Sequence, residues 1–450
     1  MRDLTQGNSM KTMVIFAAPM ILGNFLQQFY NFADTMILGR YLGPDAMAAA
    51  GTAYTLMTFL TSILIGMTMG SSSLLSYYMG KKDMETMREY GKGSFYLTGA
   101  VTLVLLVLVF VFVDPIMRFL QIPPGITGMF REYILVIFGG LLFVFLYNFY
   151  AFYFRAMGDS VTPLLFLGGS SLLNVALDLL FVAGLKKGIS GAAWATWISQ
   201  AVAGIGIFLS FSCKNPEFRR KGVIFGKRKS FRKMIREIAR FSFAASIQQS
   251  VMNFGILMVQ GLVNSFGVPV MAAFTAAVKI DAIAYMPAQE FGNSFSLFIS
   301  QNYGAGEKDR IRKGTKEAFL LSALFCSLVS FLVYFFAESL MHVFLPAEEN
   351  FIVQTGVTYL RIEGACYVGI GILFLLYGYF RGIHKPEMSL VLTIISLGTR
   401  VALAYGLVLI FHTGPEGIWW SIPIGWFLAD VTGICCMKEK HNRKRKEDLK

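Results

Sequence analysis

The sequence has 450 residues, of which 55% are hydrophobic and 15% are charged. Soluble domains contain about a quarter charged residues, so this composition excludes an ordinary soluble protein and favours a membrane protein. The formal net charge of +13 could suggest nucleic-acid binding, but Lys and Arg are concentrated in a few connections between apolar runs. That distribution is typical of a membrane protein, so we expect contact with membrane lipid and no nucleic-acid partner.

Apolar runs long enough to cross a bilayer recur along the whole chain. A membrane-spanning helix needs about 20 predominantly apolar residues, and the short alternating segments typical of membrane barrels are not evident. We predict an all-α polytopic membrane protein with twelve spans. Their ranges are 13–39, 50–78, 92–113, 130–152, 161–183, 191–213, 240–264, 275–302, 316–337, 356–379, 387–411 and 416–437.

The twelve predicted spans fall into two groups of six. They define an N-terminal lobe at 1–213, a basic inter-lobe linker at 214–239, a C-terminal lobe at 240–437 and a basic tail at 438–450. The linker and tail hold many of the Lys and Arg residues, on one side of the membrane if the spans are counted from an inside N-terminus. The positive-inside rule then predicts that both termini are cytoplasmic.

An internal repeat relates the two lobes. The residues at 47–49 recur at 271–273, and the dipeptide at 155–156 recurs at 381–382, in both cases about 225 residues later. Two related halves in a membrane chain are typical of transporters that move one half against the other. No P-loop and no convergent His, Cys or carboxylate cluster is evident, so we expect a protein without enzymatic activity or an organic cofactor.

Polar side chains follow one face of the first predicted span. Amides at helical spacing either form a hydrogen-bond seam between helices or line a binding site, and both interpretations stay open. For the carboxylate we favour a functional role, because a seam needs no ionisable group and a buried carboxylate is costly in lipid. The residues on this face are Asn24, Gln27, Gln28, Asn31 and Asp34, with Tyr30 one turn before Asp34.

Asn174 and Asp178 lie one helical turn apart in the fifth predicted span. Carboxylate and amide oxygens suit a small hard cation, and the carboxylates could carry protons instead. Asn148 and Thr196, in the fourth and sixth predicted spans, are further candidates. In the first span, Pro19 removes a backbone hydrogen bond and permits a bend, which could be either a gate or a fixed kink.

The second half has no acid where the first half has Asp34 and Asp178. Met258 and Ala404 stand at the corresponding positions. The intramembrane charges of this half lie elsewhere, and they either compensate each other or contact the substrate. This possible charge network comprises Lys279, Asp281, Glu290 and Arg400.

These residues resemble the multidrug and toxic compound extrusion (MATE) family. The resemblance extends from Phe16 to Met437 and is carried by the segments 19–35, 155–163, 174–178 and 188–196. It implies two pseudo-symmetric six-helix lobes, as in multidrug-oligosaccharidyl-lipid-polysaccharide flippases. It also implies exchange of a drug for Na⁺ or H⁺.

One branch of the family places its coupling site in the N-terminal lobe. Another branch also uses a glutamate in the seventh span and an aspartate in the tenth, where this chain has Gln248, Gln249 and Glu363. The resemblance implies a Na⁺ or H⁺ site at Asp34, Asn174, Asp178 and Thr196, with the Ala192 carbonyl as a possible further ligand. Gln27, Tyr30 and Asn148 match positions that line the cavity, and Asn31 shares the polar face of Gln27.

The leading hypothesis is secondary active efflux of cationic amphiphilic drugs by alternating access, in exchange for Na⁺ or H⁺. We expect a monomer in the cell membrane. The alternative is a lipid-linked oligosaccharide flippase, whose central cavity should be more cationic. Lys279 and Arg400 agree with that alternative, whereas the acids of the N-terminal lobe oppose it.

Overall fold

The computed structural model describes residues 2–119, 122–216, 228–345 and 349–447. Helices dominate these residues, which contain no β-strand, so the all-α prediction is confirmed. Most of the basic sequence in the predicted linker, at 217–227, and the last three residues of the tail lie outside the described residues.

The described part of the chain forms fourteen α-helices. A short 3₁₀ turn, Pro124–Ile126, precedes the fourth, and a π-helical segment, Leu179–Gly184, follows the sixth. The helices are α1 Ser9–Leu42, α2 Pro44–Gly80, α3 Met84–Phe119, α4 Thr127–Gly139, α5 Leu141–Ala156, α6 Val161–Asp178, α7 Gly188–Lys214, α8 Arg228–Asn264, α9 Val268–Ala305, α10 Lys308–His342, α11 Asn350–Gly364, α12 Tyr367–Gly382, α13 Pro386–Leu409 and α14 Pro415–Glu447.

Every predicted span coincides with a helix or with a bent pair of helices. Within the described residues, nine helices are long and apolar enough to cross a membrane, and two bent pairs bring the number to eleven. The predicted seventh span, 240–264, lies in α8, which is not among them and contains several amide side chains. The chain is therefore a multi-pass membrane protein.

Two predicted spans are broken in the structure. The span at 130–152 divides into α4 and α5, which meet at 41°, and the span at 356–379 divides into α11 and α12, which meet at 51°. The first break falls at Gly139 and Gly140, and paired glycines commonly permit a sharp bend. Helix α3 bends at Phe112, whose φ of −106° is not helical, because the nearby Pro115 cannot continue the hydrogen-bond ladder. Helix α1 continues through Pro19.

The chain forms two compact units. The first comprises Met1–Asp3 and Ala18–Ser246, and the second comprises Leu4–Ala17 and Ile247–Lys450. Helices α1 and α8 therefore each begin in one unit and continue in the other. The lobe boundaries expected from the sequence stay a prediction.

In the first unit, α2 and α8 approach closely. Met234, Ile238 and Phe241 of α8 belong to the buried core. A Cβ atom on Gly66 would lie 2.4 Å from the Ser246 Cα atom, and one on Gly70 would lie 2.2 Å from the Phe241 carbonyl oxygen. Small residues permit such contact between membrane helices.

In the second unit, polar side chains hold the N-terminal segment. The Leu4 N–H donates to Gln301 Oε1 at 3.1 Å, and Asn302 Nδ2 donates to the Leu4 carbonyl at 3.1 Å. The Arg310 guanidinium donates to the same carbonyl and, at 2.7 Å, to the Gln6 carbonyl. Backbone groups outside regular helix thereby find partners.

Candidate cation site

Asp178 lies where regular α-helix ends in α6. It is the last residue of that helix, is fully buried (0% exposed), and directly precedes the π-helical segment Leu179–Gly184. Single turns of π-helix occur frequently at functional sites because they change the direction of side chains and backbone groups. A buried carboxylate at this position requires a compensating partner.

Asn174 and Thr196 supply polar atoms beside Asp178. When the Asn174 amide is turned so that Nδ2 faces the acid, it donates to Asp178 Oδ2 at 3.1 Å, and its Oδ1 accepts from the Thr196 hydroxyl at 3.3 Å. In the opposite orientation, Oδ1 faces the carboxylate, and Nδ2 donates to the Thr196 hydroxyl at 3.3 Å. Ala192 is fully buried one turn before Thr196.

Asp34 of α1 meets Asp178 in the first unit. Their carboxyl groups lie within hydrogen-bonding reach of each other. Asp34 Oδ1 and Asp178 Oδ1 are both buried and have no hydrogen-bond partner among the described residues. Two ionised carboxylates repel each other at this separation, so a proton or a metal cation between them is the physical remedy.

Three tyrosines surround the acid pair. Tyr30 lies near Asp34, Asp178 and Tyr54. Tyr133 of α4 is buried and lies near both acids as well. The sequence interpretation missed Tyr54 and Tyr133, because nothing in their local spacing connects them to residues far away in the chain.

The other predicted cavity residues are less closely tied to the acids. Asn31 Nδ2 donates to the Tyr54 hydroxyl at 3.2 Å. Asn148 Nδ2 donates to the Val144 carbonyl of its own helix at 2.9 Å, and Gln27 is exposed. Their substrate-binding role stays a prediction.

The predicted charge network of the second unit divides into separate groups. Lys279 is exposed. The buried Asp281 accepts from the Tyr359 and Tyr367 hydroxyls and lies near Arg400. Glu290 belongs to another group, where it accepts a hydrogen bond of 3.1 Å from Asn293 Nδ2 and lies near Arg381.

The donor set of the first unit suits a hard cation. No group of three or more His, Cys, Asp or Glu residues that could hold a metal occurs in the described part of the chain. The candidate site instead combines two carboxylates with an amide and a hydroxyl, all oxygen donors of the kind that hard cations prefer. The Asn174 orientation that points Oδ1 towards Asp178 becomes favourable when a cation lies between the two oxygens.

A family model described as MatE matches residues 19–180 and 243–406. The chain belongs to the MATE family. The same model matches once in each half, which agrees with the internal repeat. As a MATE protein, the chain is a membrane transporter and not an enzyme.

Full-length relatives carry related names. The chain is 29% identical over 435 residues to "Probable multidrug resistance protein YpnP" of Bacillus subtilis, covering 96% of this chain and 95% of the relative. It is 26% identical to "Probable multidrug resistance protein NorM" of Thermotoga maritima, covering 91% and 88%. A "FAD transporter" of Shewanella oneidensis is 24% identical, covering 88% and 86%.

Solved structures share the fold of this MATE protein. "Crystal structure of MATE in the bent conformation" matches with a TM-score of 0.91 and 23% identity, covering 99% of this chain and 98% of that one. A superfamily transporter from Pyrococcus furiosus, whose title reports a reversed polarity of the binding pocket, matches with a TM-score of 0.88, 23% identity and 97% coverage of each chain. These matches confirm the predicted two-lobe MATE fold.

Proposed function

We propose that this protein is a multidrug efflux antiporter. It exports cationic amphiphilic compounds in exchange for Na⁺ or H⁺, and the coupling ion binds at Asp34 and Asp178. The names of the relatives support drug export. The observation that carries the coupling site is the contact between two buried carboxyl groups, each with an oxygen that lacks a partner.

Charge balance would couple the ion to the drug. When the acid pair is empty and ionised, it attracts a cationic drug. When Na⁺ or H⁺ occupies it, that attraction is lost. Each ligand thus disfavours the other, and the ion drives transport only by the difference in its affinity for the inward- and outward-facing states. Asn174 and Thr196 would complete the ion's ligands, with the Ala192 carbonyl as a further oxygen.

The remaining assignments follow from this proposal. The protein works as a monomer in the cell membrane, with both termini in the cytoplasm. A flippase for lipid-linked oligosaccharides would need an uncompensated cationic cavity. Arg400, which favoured that alternative, lies near the acids Asp281 and Glu363, so its charge is compensated.

Transport by purified protein in liposomes tests the proposal. Ethidium efflux is measured under an imposed Na⁺ gradient and, separately, under an imposed pH gradient. Asp34→Asn and Asp178→Asn should each abolish coupled efflux under the gradient that drives the wild type. Asp45→Asn removes an exposed acid in the first turn of α2 and should transport normally. Wild-type efflux by both site variants would refute the assignment.

A further inference from the structure

The second unit contains another pair of buried carboxyl groups. Asp281 of α9 and Glu363 of α11 are each 2% exposed, and their carboxyl groups lie within hydrogen-bonding reach of each other. The Tyr359 hydroxyl donates to Asp281 Oδ2 at 3.0 Å, and the Tyr367 hydroxyl donates to Asp281 Oδ1. Both oxygens of Asp281 therefore have donors.

Glu363 is less well satisfied than Asp281. Its Oε2 atom is buried and finds no partner in the described ranges of the chain. An ionised carboxylate only accepts hydrogen bonds, so two ionised groups cannot bond to each other, whereas a protonated Glu363 can donate to Asp281. The geometry therefore fits an ionised Asp281 and a protonated Glu363.

The charges of the cluster lead to the same assignment. Two ionised carboxylates beside the single Arg400 guanidinium leave one uncompensated negative charge in a buried place, which is costly. One proton makes the cluster neutral. A metal cation is a poor substitute, because Arg400 repels it and the two tyrosine hydroxyls already occupy the Asp281 oxygens.

The cluster lies at a break between helices. Glu363 is next to last in α11, and Tyr367 is the first residue of α12, which bends away by 51°. Coupling ions in secondary transporters commonly bind at such interrupted helices. The break gives the cluster a structural element whose angle can respond to a change of charge.

We propose that Glu363 and Asp281 hold one exchangeable proton, which makes the second unit a proton-specific coupling site. The inference rests on the proposed antiport function and adds a second ion to it. In the transport cycle, Glu363 loses its proton to water, the cluster changes from neutral to singly negative, and it regains a proton from the opposite side.

The titratable and charged groups that face Glu363 come from four helices. Asp281 and Tyr285 belong to α9, Tyr359 to α11, Tyr367 to α12 and Arg400 to α13. Cys366 lies in the break beside Glu363. Among these groups, only the two carboxyl groups exchange protons readily near neutral pH, so the exchangeable proton belongs to the pair.

The test is the number of protons moved per ethidium molecule in liposomes, measured from the pH gradient that just balances an ethidium gradient. Glu363→Gln keeps the size and places a permanent N–H donor beside Asp281. This number should fall by one in Glu363→Gln while transport continues. Glu338→Gln removes an exposed acid of α10 and should leave the number unchanged.

Two results would overturn the inference. One is an unchanged proton number in an active Glu363→Gln protein, which would make the cluster structural. The other is a wild type that moves no protons. If Glu363→Gln fails to fold, infrared spectroscopy on the wild type decides. A protonated-carboxyl band should disappear when the pH is raised, and a band that persists contradicts exchange. Failure of the antiport proposal is distinguishable, because it requires normal efflux by Asp34→Asn and Asp178→Asn.

Discussion

Tyr133 of α4 and Tyr359 of α11 occupy equivalent positions in the two halves, about 225 residues apart, and each lies beside a buried carboxyl group. Tyr359 donates directly to Asp281, and Tyr133 lies near Asp34 and Asp178. Both tyrosines belong to the first helix of a bent pair. The repeat has therefore kept an aromatic hydroxyl next to the acids of each unit, although the acids themselves lie at different positions.

Tyr133→Phe should weaken binding of the coupling ion by about tenfold, because residues that orient a ligand set typically contribute that much to its affinity. The measurement is the ion concentration that gives half-maximal ethidium efflux. Tyr147→Phe is the matched control, since the Tyr147 hydroxyl donates to the Pro163 carbonyl instead. Equal shifts in the two variants would argue against a role for Tyr133 at the acid pair.

Thr196→Val should also lower the apparent ion affinity, by about 10- to 100-fold, whereas Thr196→Ser should retain it. Valine has the shape of threonine but lacks the hydroxyl that contacts the Asn174 amide at 3.3 Å. Serine preserves that hydroxyl. The same half-saturation measurement separates the two variants, and indistinguishable values for Val and Ser would remove Thr196 from the site.

Gly66→Ala should destabilise the protein by about 1–3 kcal/mol or more, because overpacking a tight contact forces the backbone to move. The added Cβ would lie 2.4 Å from the Ser246 Cα atom. Gly51→Ala on the same helix meets nothing within 4 Å and should be neutral or stabilising by up to about 1 kcal/mol. Thermal unfolding in detergent measures both, and equal melting temperatures would contradict the close approach of α2 and α8.

Arg310→Lys should loosen the N-terminal segment. A lysine cannot reproduce the set of guanidinium donors that contacts the Leu4, Gln6 and Gly7 carbonyls. Trypsin should then cleave after Lys11 several times faster than in the wild type, because proteolysis follows local opening. Arg312→Lys, at an exposed position on the same helix, should leave cleavage unchanged, and an equal rate in both variants would show that Arg310 does not hold the segment.

Hydrophobic run length was sufficient to predict the helices, because lipid requires each span to satisfy its own backbone groups. It did not reveal the breaks at Gly139–Gly140 and at Ala365–Cys366, since a bent pair has the same apolar length as a straight span. Helical spacing placed Asn174 and Asp178 on one face, and the structure places them together.

Contacts between distant helices were beyond the sequence. Asp34 and Asp178 were both singled out, but their direct contact depends on how α1 packs against α6. The charges of the second half were predicted as one possible network, whereas packing separates Asp281 from Glu290. Glu363 was noted only as a departure from the family pattern, and its partner Asp281 lies 82 residues earlier in the chain.

The division of α1 and α8 between units bears on how such a chain arose. The segment Leu4–Ala17 belongs to the second unit, and its counterpart about 225 residues later, at the start of α8, belongs to the first. A single half would leave the site for this segment unfilled. The ancestor implied by the repeat would have completed its fold by exchanging these segments between two copies, as in a domain-swapped dimer. Gene fusion then made that exchange internal to one chain.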